Sequence, residues 1–377
     1  MTSAPAQPNG REWAWPFRCL SCRRPYSPDG FPHQCPVCGG LYDFASPLVY
    51  HPEPRGPGRR AGLERYRKSL PLPPGSPLVG LGEGDTPLLE AKVGEAIVHF
   101  KCEHLNPSGS FKDRGAAVLV SALAALGVGE AVEDSSGNAG AAFAAYAARA
   151  GIRARVYVPS SAAGPKRLQI QAYGAELVEV PGPRSAAAEA ARHAAEGGQV
   201  YASHAHHPHG LAGMATIAFE IVEQLGVAPG AVVVPVGQGS LLIGLERGFA
   251  AMKAAGAIGQ APQLVGVQAQ ACAPLWAVAR AGPAGLGFVQ EGETIAEGIR
   301  IRNPLRGDAA LGAVDRSGGT WVAVPEEAIQ EGQAELARLG FFVEPTSAVV
   351  WPALAAIASE LRQPTVAVLT GSGFKAR

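Results

Sequence analysis

From about residue 80 onward, short runs rich in β-branched residues alternate with longer segments of helical pattern. The run 232–236 (VVVPV), for example, is followed by two glycines and then by a helical segment. Such alternation is typical of βαβ units, in which helices join parallel strands, so it predicts an α/β fold with parallel sheets. The predicted strands are 96–101, 153–158, 176–180, 231–236, 263–268 and 365–369. The predicted helices are 111–126, 139–150, 163–173, 184–196, 210–225, 240–255, 326–338 and 347–361.

Length and charge limit the classes of function. A chain of 377 residues has room for two domains and a small appendage. Its 32 Lys and Arg balance its 32 Asp and Glu, which argues against a nucleic-acid or membrane-surface protein. The N-terminus does not show the basic segment followed by an apolar segment that is typical of a targeting signal. No apolar run is long enough to span a membrane. We therefore expect a cytoplasmic protein that acts on a small molecule.

Four cysteines near the N-terminus have the spacing of a metal site. Cys19, Cys22, Cys35 and Cys38 form C-x2-C-x12-C-x2-C, in which each pair supplies two corners of a tetrahedron. Two disulfides are the alternative, but nothing marks the chain as secreted. The pattern predicts a zinc ribbon over residues 10–45 that holds one structural Zn²⁺ with no open coordination position.

One lysine stands at the start of a predicted helix, within the loop 106–115 (NPSGSFKDRG). Ser110 is predicted to cap this helix, with Asp113 completing a capping box. Lys112 then lies in the first turn, where the helix dipole disfavours an ammonium and favours the neutral amine. A neutral amine is what imine formation with an aldehyde requires. Only seven lysines occur beside 25 arginines, so this placement points to chemistry.

Three further loops have ligand-binding patterns. Loop 134–140 (DSSGNAG) offers hydroxyls and free amides at a helix start, which suit a carboxylate, although an ordinary helix cap is the alternative. Loop 237–240 (GQGS) follows a strand and suits a phosphate; it lacks the third glycine of the dinucleotide fingerprint, since Leu242 stands there. Thr370 follows the last strand, where ligands of parallel sheets bind. With Lys112, these groups match the needs of pyridoxal phosphate.

Segments 82–88 (GEGDTPL), 106–115, 135–140 (SSGNAG), 294–298 (TIAEG) and 369–375 (LTGSGFK) resemble those of the threonine synthase family. The resemblance covers roughly residues 80–377. It implies a fold-type II pyridoxal-phosphate enzyme, similar to the tryptophan synthase beta chain, with the cofactor between two parallel-sheet α/β domains. The implied large cofactor-binding domain comprises 46–116 and 209–377, and the small inserted domain comprises 117–208. A homodimer is common in this fold and is expected here.

The resemblance also implies residue roles. Lys112 would be the Schiff-base lysine and later the acid–base catalyst, and Phe111 would pack on the cofactor ring. Asn138 would bind the phenolic oxygen, and Thr370 would face the pyridine nitrogen. The implied phosphate-binding turn consists of Gly237, Gln238, Gly239, Ser240 and Leu241. The residues implied to bind the substrate carboxylate are Ser135, Ser136, Gly137 and Ala139.

The implied reaction converts O-phospho-L-homoserine and water to L-threonine and phosphate. The alternatives are a serine/threonine ammonia-lyase, a β-replacement synthase that uses phosphoserine, and an inactive zinc-ribbon binding protein. Segment 204–216 (HAHHPHGLAGMAT) departs from the family pattern N-P-x-R-x-E-G-x-K-T, since Gly210, Ala212 and Ala215 replace its charged residues. Its four histidines leave open a metal site, a contact with substrate or an exposed surface. Other candidate cations for the substrate phosphate are Lys166, Arg167, Arg300 and Arg302.

Overall fold

A computed structural model of the chain describes residues 13–27, 30–58, 60–162 and 164–376. The strands are β1 (Phe17–Cys19), β2 (Tyr42–Phe44), β3 (Leu88–Val93), β4 (Ala96–Lys101), β5 (Glu130–Glu133), β6 (Arg153–Pro159), β7 (Glu176–Val180), β8 (Val200–Tyr201), β9 (Ala231–Pro235), β10 (Gln263–Ala269), β11 (Thr320–Val324) and β12 (Thr365–Val368). The α-helices are α1 (Lys112–Ala125), α2 (Asn138–Ala150), α3 (Pro165–Ala172), α4 (Arg184–Glu196), α5 (His209–Leu225), α6 (Ser240–Ala254), α7 (Pro274–Ala281), α8 (Gly307–Arg316), α9 (Glu326–Arg338), α10 (Pro345–Ala348) and α11 (Val350–Ile357).

All six predicted strands are confirmed, and the first seven predicted helices lie where they were expected. Residue 163, the predicted start of α3, lies outside the described residues. The eighth prediction, one helix over 347–361, was wrong, because α10 ends at Ala348 and α11 begins at Val350. Pro352 explains this break, since it has no N–H to donate to the carbonyl of Ala348. Strands β1, β2, β3, β5, β8 and β11 and helices α7 and α8 were not predicted.

The first of two compact units comprises Lys112–Gly213 and the described part of Met1–Glu83. Its four-stranded sheet has the order β7-β6-β5-β8, and all its strands are parallel. Val132, Ala191 and Tyr201 form a buried cluster between this sheet and α4. Helices α2, α3 and α4 follow β5, β6 and β7, so each of these helices begins on the side of the carboxyl ends of the strands.

The same unit contains the cysteine segment, by which we mean the described residues from 13 to 45. Strands β1 and β2 pair antiparallel there, with Phe17 opposite Phe44. Residues 10–12 and 28–29 of the predicted ribbon lie outside the described part of the chain.

The second unit comprises Gly84–Phe111 and the described part of Met214–Arg377. Its sheet has the order β11-β10-β9-β12-β4-β3, and every pairing is parallel except that of β3 with β4. The last strand of the chain, β12, therefore lies in the interior of the sheet. Phe100, Val233, Val265 and Leu354 belong to its buried core. The predicted α/β class with parallel sheets is confirmed. No helix in the described part of the chain is both long and apolar enough to cross a membrane.

Candidate active site

Lys112 is the first residue of α1 and is half-buried. Burial lowers the pKa of its amine to about 8; the positive charge of Arg184 acts in the same direction, and the negative charge of Glu133 opposes it. An ordinary lysine has a pKa near 10.4, so a far larger share of Lys112 is neutral at physiological pH. The structure thus gives this lysine the nucleophilic character that its sequence position indicated, chiefly through burial.

The predicted Ser110 cap was wrong. The Ser110 hydroxyl is buried and has no hydrogen-bond partner among the described residues, and α1 begins two residues later, at Lys112. The backbone of Ser110 instead forms an isolated antiparallel bridge with Gly371.

The loop that precedes Lys112 is tied to the last residues of the second unit. The Phe111 amide donates to the Thr370 carbonyl at 3.0 Å. The Lys375 ammonium donates to the Ser108 carbonyl at 2.7 Å. Through these bonds, the backbone of the Lys112 loop and the backbone of the closing motif constrain each other.

The predicted carboxylate-binding loop connects β5 to α2 in the first unit. These five residues are consecutive along the chain and lie at the start of α2. Ser135 and Ala139 are buried, while Ser136, Gly137 and Asn138 are half-buried. Gly140 permits a close turn, because a Cβ there would lie 1.8 Å from the Ser135 carbonyl oxygen. A helix N-terminus with adjacent hydroxyls is a suitable anion site.

Sequence reasoning missed a cluster at the same edge of this sheet. Glu133 ends β5 and is fully buried, Asp134 follows it, and His204 comes shortly after the neighbouring strand β8. One oxygen of each carboxyl group and one nitrogen of His204 all lie within 4.8 Å of one another. Burial raises the pKa of Glu133 to about 8. Because β5 was not predicted, no pattern placed these two acidic residues at a strand end, and their partner lies 71 residues away along the chain.

The predicted phosphate turn lies between β9 and α6 in the second unit. Gly239 has φ +88°, and the turn leads directly into α6 at Ser240. The Ser240 hydroxyl is buried and has no hydrogen-bond partner in the described residues, while the Gln238 side-chain oxygen accepts from the Leu305 amide at 3.0 Å. A partnerless buried hydroxyl beside a glycine turn at a helix start fits a phosphate group.

Thr370 lies two residues after the end of β12 and is 2% exposed. Its hydroxyl lies 2.9 Å from that of Ser347, whose oxygen also accepts from the Gly371 amide at 2.8 Å. The Thr370 hydroxyl is therefore held at the carboxyl end of the sheet, as a partner for a ring nitrogen would need to be. Phe111 is half-buried in this unit, and Gly237 and Leu241 are buried.

The four N-terminal cysteines converge. Their sulfur atoms lie within 4.8 Å of one another, with Cys19 and Cys38 at 3.5 Å and Cys22 and Cys35 at 3.6 Å. A tetrahedral site with Zn–S bonds of about 2.3 Å separates its sulfurs by about 3.8 Å, so the set fits zinc. The Val37 amide helps to lower the pKa of Cys35 to about 6, which favours the thiolate.

The His-rich segment (204–209) is largely buried under the cysteine segment. The His209 ring is fully buried, and its centroid lies 4.6 Å from that of Phe17 and 4.8 Å from those of Trp15 and Phe31. Neither of its ring nitrogens has a hydrogen-bond partner among the described residues. This burial excludes the interpretation that His209 belongs to an exposed surface. The His209 side chain instead packs against aromatic rings of the cysteine segment.

The three arginines among the candidate cations are engaged by their own surroundings. Arg167 pairs with Glu179, Arg300 donates to the Glu291 carbonyl at 3.0 Å, and Arg302 donates to the Val289 carbonyl.

Comparison with known proteins gives the class and then the family. Residues 79–371 match the family described as pyridoxal-phosphate dependent enzyme, and the chain belongs to that class. The structure is similar to a threonine deaminase from T.th., with TM-score 0.64 and 30% identity over 76% of this chain and 92% of that one. It also shares its fold with maize serine racemase, with TM-score 0.65 and 22% identity over 76% of this chain and 88% of the other.

Two proteins of similar sequence identify the family within the class of pyridoxal-phosphate-dependent enzymes. The threonine synthase of Methanocaldococcus jannaschii is 36% identical over 374 residues, which cover 95% of this chain and 92% of the relative. That of Synechocystis sp. is 36% identical over 332 residues, which cover 84% of this chain and 83% of the relative. Within the pyridoxal-phosphate enzymes, the chain is a member of the threonine synthase family, and the predicted fold-type II class is confirmed.

Proposed function

We propose that this chain is a pyridoxal-phosphate-dependent lyase that converts O-phospho-L-homoserine and water to L-threonine and phosphate. The observation that carries the proposal is the 36% identity to a threonine synthase along 95% of the chain. The low pKa of Lys112, about 8, supports it on independent grounds, because the amine is suited to form the covalent link to the cofactor.

Each loop would hold one part of the cofactor or substrate. Lys112 would hold the cofactor aldehyde, Asn138 its phenolic oxygen, and Thr370 its ring nitrogen, while Phe111 would pack on the ring. The Gly237, Gln238, Gly239, Ser240 and Leu241 turn would hold its phosphate through backbone amides and the Ser240 hydroxyl. Ser135, Ser136, Gly137 and Ala139 would orient the substrate carboxylate at the start of α2.

The cofactor, when bound, supplies an electron sink for negative charge at the substrate α carbon. Lys112 Nζ would accept the α proton and return protons to the carbon chain after phosphate leaves the γ carbon and as water adds at the β carbon. A lysine with a pKa near 8 can both accept and release a proton near neutral pH.

We further propose that Cys19, Cys22, Cys35 and Cys38 hold one structural Zn²⁺, supported by the spacing of their sulfurs. The division into a zinc ribbon (10–45), a large domain (46–116 and 209–377) and a small domain (117–208) stays a prediction. So do the homodimer and the cytoplasmic location.

A threonine or serine ammonia-lyase is the second candidate. Two observations favour it: the 30% identity to threonine deaminase, and the replacement of the family's charged residues by Gly210, Ala212 and Ala215. Incubation of the purified protein with phosphohomoserine, with threonine and with phosphoserine, followed by identification of the products, separates the candidates. Threonine and phosphate from phosphohomoserine support the proposal, whereas turnover of threonine to an oxoacid alone supports the alternative.

The role of Lys112 has its own test. Borohydride reduction of the holoenzyme followed by peptide mapping should place the pyridoxyl label on Lys112. A label on any of the other six lysines would contradict the assignment.

A further inference from the structure

Two buried hydroxyl groups of the second unit, those of Thr370 and Ser347, form a hydrogen bond with each other. Their oxygens lie 2.9 Å apart, and Ser347 comes from α10. Among the described residues, Ser347 is the only hydrogen-bond partner of the Thr370 hydroxyl. One of the two hydroxyls must therefore donate its proton to the other, and the choice of donor decides where the Thr370 proton points.

The Ser347 hydroxyl has one proton and three neighbouring polar atoms. Its oxygen accepts the Gly371 N–H at 2.8 Å, and it lies 3.1 Å from the Gly371 carbonyl oxygen. The Ser347 proton can therefore go either to this carbonyl or to Thr370. The carbonyl does not depend on Ser347, because it also accepts the Glu344 amide at 3.0 Å. Ser347 can thus donate to Thr370 without leaving a buried acceptor unpaired.

Two arrangements of these protons are available to the pair. In the first, Thr370 donates to Ser347, and Ser347 donates to the Gly371 carbonyl. In the second, Ser347 donates to Thr370, and the Thr370 proton is available to an acceptor placed against it. The arrangements differ only by rotation of two hydroxyl hydrogens, so the change from one to the other moves no heavier atom.

The backbone that carries the two hydroxyls is held from both sides. Val343 and Ser372 form an isolated antiparallel bridge, and the Ser347 amide donates to the Glu344 carbonyl at 2.9 Å. The Thr370 carbonyl accepts from the Phe111 amide at 3.0 Å. Because these bonds fix the backbone, rotation of the hydroxyl hydrogens is the response to a bound acceptor that changes the structure least.

We propose that Ser347 is a positioning residue for the cofactor and sets the direction of the Thr370 proton. When the ring nitrogen lies against Thr370, Ser347 donates to Thr370 and the Thr370 proton bonds the nitrogen. When no acceptor lies there, Thr370 donates to Ser347 instead. The inference rests on the proposed function, in which Thr370 faces the ring nitrogen. Ser347 exerts this role through Thr370 and needs no contact of its own with the cofactor.

The test compares two ligands of the full-length apoenzyme by equilibrium dialysis: pyridoxal phosphate and its deaza analogue, in which C–H replaces the ring nitrogen. The analogue offers no acceptor, but in the wild type Ser347 takes the Thr370 proton. In Ser347→Ala no described residue takes it, so a buried hydroxyl stays unpaired against the analogue. The dissociation constant of the analogue, relative to that of pyridoxal phosphate, should therefore rise by about fivefold to a hundredfold in Ser347→Ala.

Two further variants test whether the change comes from the hydroxyl pair. Ser347→Cys should raise the ratio less than Ser347→Ala, because a thiol sulfur is a weak acceptor, and it carries the test if Ser347→Ala does not fold. Ser121→Ala is the matched control, since the Ser121 hydroxyl is equally buried, accepts the Val79 amide at 2.8 Å and donates to the Ala117 carbonyl at 2.6 Å. It should lower stability and leave the ratio unchanged. A wild-type ratio in a folded Ser347→Ala variant, or an equal rise in Ser121→Ala, overturns the inference.

Thr370→Val separates the inference from the proposed function. Valine is similar to threonine in shape but has no hydroxyl, so this variant should lose the preference for the ligand with a ring nitrogen. An unchanged ratio in Thr370→Val would show that Thr370 does not face the ring nitrogen, which overturns that part of the proposed function. A lost preference in Thr370→Val together with a wild-type ratio in Ser347→Ala overturns the inference alone.

Discussion

Gly239 offers the sharpest test of the phosphate turn. Its φ of +88° lies in the left-handed region, and a Cβ at this position would lie 3.1 Å from the Ala310 Cβ. An L-residue in that region costs about 1–2 kcal/mol, and the contact with Ala310 adds to this because one of the two atoms must move by a few tenths of an ångström. We therefore expect that Gly239→Ala either strains the backbone of the turn in its present conformation or changes that conformation.

The expected loss of cofactor affinity follows from these two possibilities. Without cofactor the turn can relax, but with the phosphate bound its amides must keep their orientation. The strain is then lost from binding, which predicts cofactor affinity weaker by about fivefold to thirtyfold for 1–2 kcal/mol. Gly239→Asp, which also adds a negative charge, should abolish retention of the cofactor.

The assay is titration of the apoenzyme with pyridoxal phosphate, followed by visible absorption. Gly256→Ala is the matched control: it lies just after the other end of α6, has φ +70° and has nothing within 4 Å of its Cβ position. Gly256→Ala should lower stability and leave cofactor affinity unchanged, whereas Gly239→Ala should lower cofactor affinity. Equal affinity of the two variants would refute the role of this turn.

Three other predictions follow from buried groups. Cys35→Ser should lower the zinc content, by elemental analysis, from one per chain and should lower the melting temperature; absence of zinc from freshly purified wild type would contradict the site. Lys101→Met leaves Glu220, 2.7 Å away and equally buried, without its cation, and should cost about 3–5 kcal/mol in denaturant unfolding; an unchanged midpoint would contradict this. His209 has a pKa well below the ordinary value because it is buried, so stability should fall as pH drops below about 6.5, and His209→Phe should reduce that slope in unfolding experiments across pH.

Local pattern was enough to predict most of the parallel architecture. The run that became β9 is continuously apolar, and such a run between turn residues is typical of a buried strand. Strand β5 was missed because it has only four residues and carries glutamates at both ends, and β8 because it has two. Their strand geometry comes from pairing with neighbours, which no local pattern records.

The residues of the candidate site also differ in whether a local sequence pattern could predict them. Lys112 and the glycine turn could be predicted because each lies in a short contiguous motif. The Glu133–His204 pair could not, since it depends on which strands are neighbours in the sheet. The predicted cap at Ser110 failed because a tertiary contact, the bridge to Gly371, determines the local backbone.

The bonds between the Lys112 loop and residues 370–375 have a consequence for synthesis. Lys375 and Ser108 are 267 positions apart, so the Lys375 side chain can reach the carbonyl of Ser108 only after the ribosome has added 267 further residues. The first unit has its complete sequence much earlier and can begin to fold during translation. The loop that presents the lysine must therefore wait for residues 370–375, and a chain released before position 370 would lack the bonds that give this loop its form.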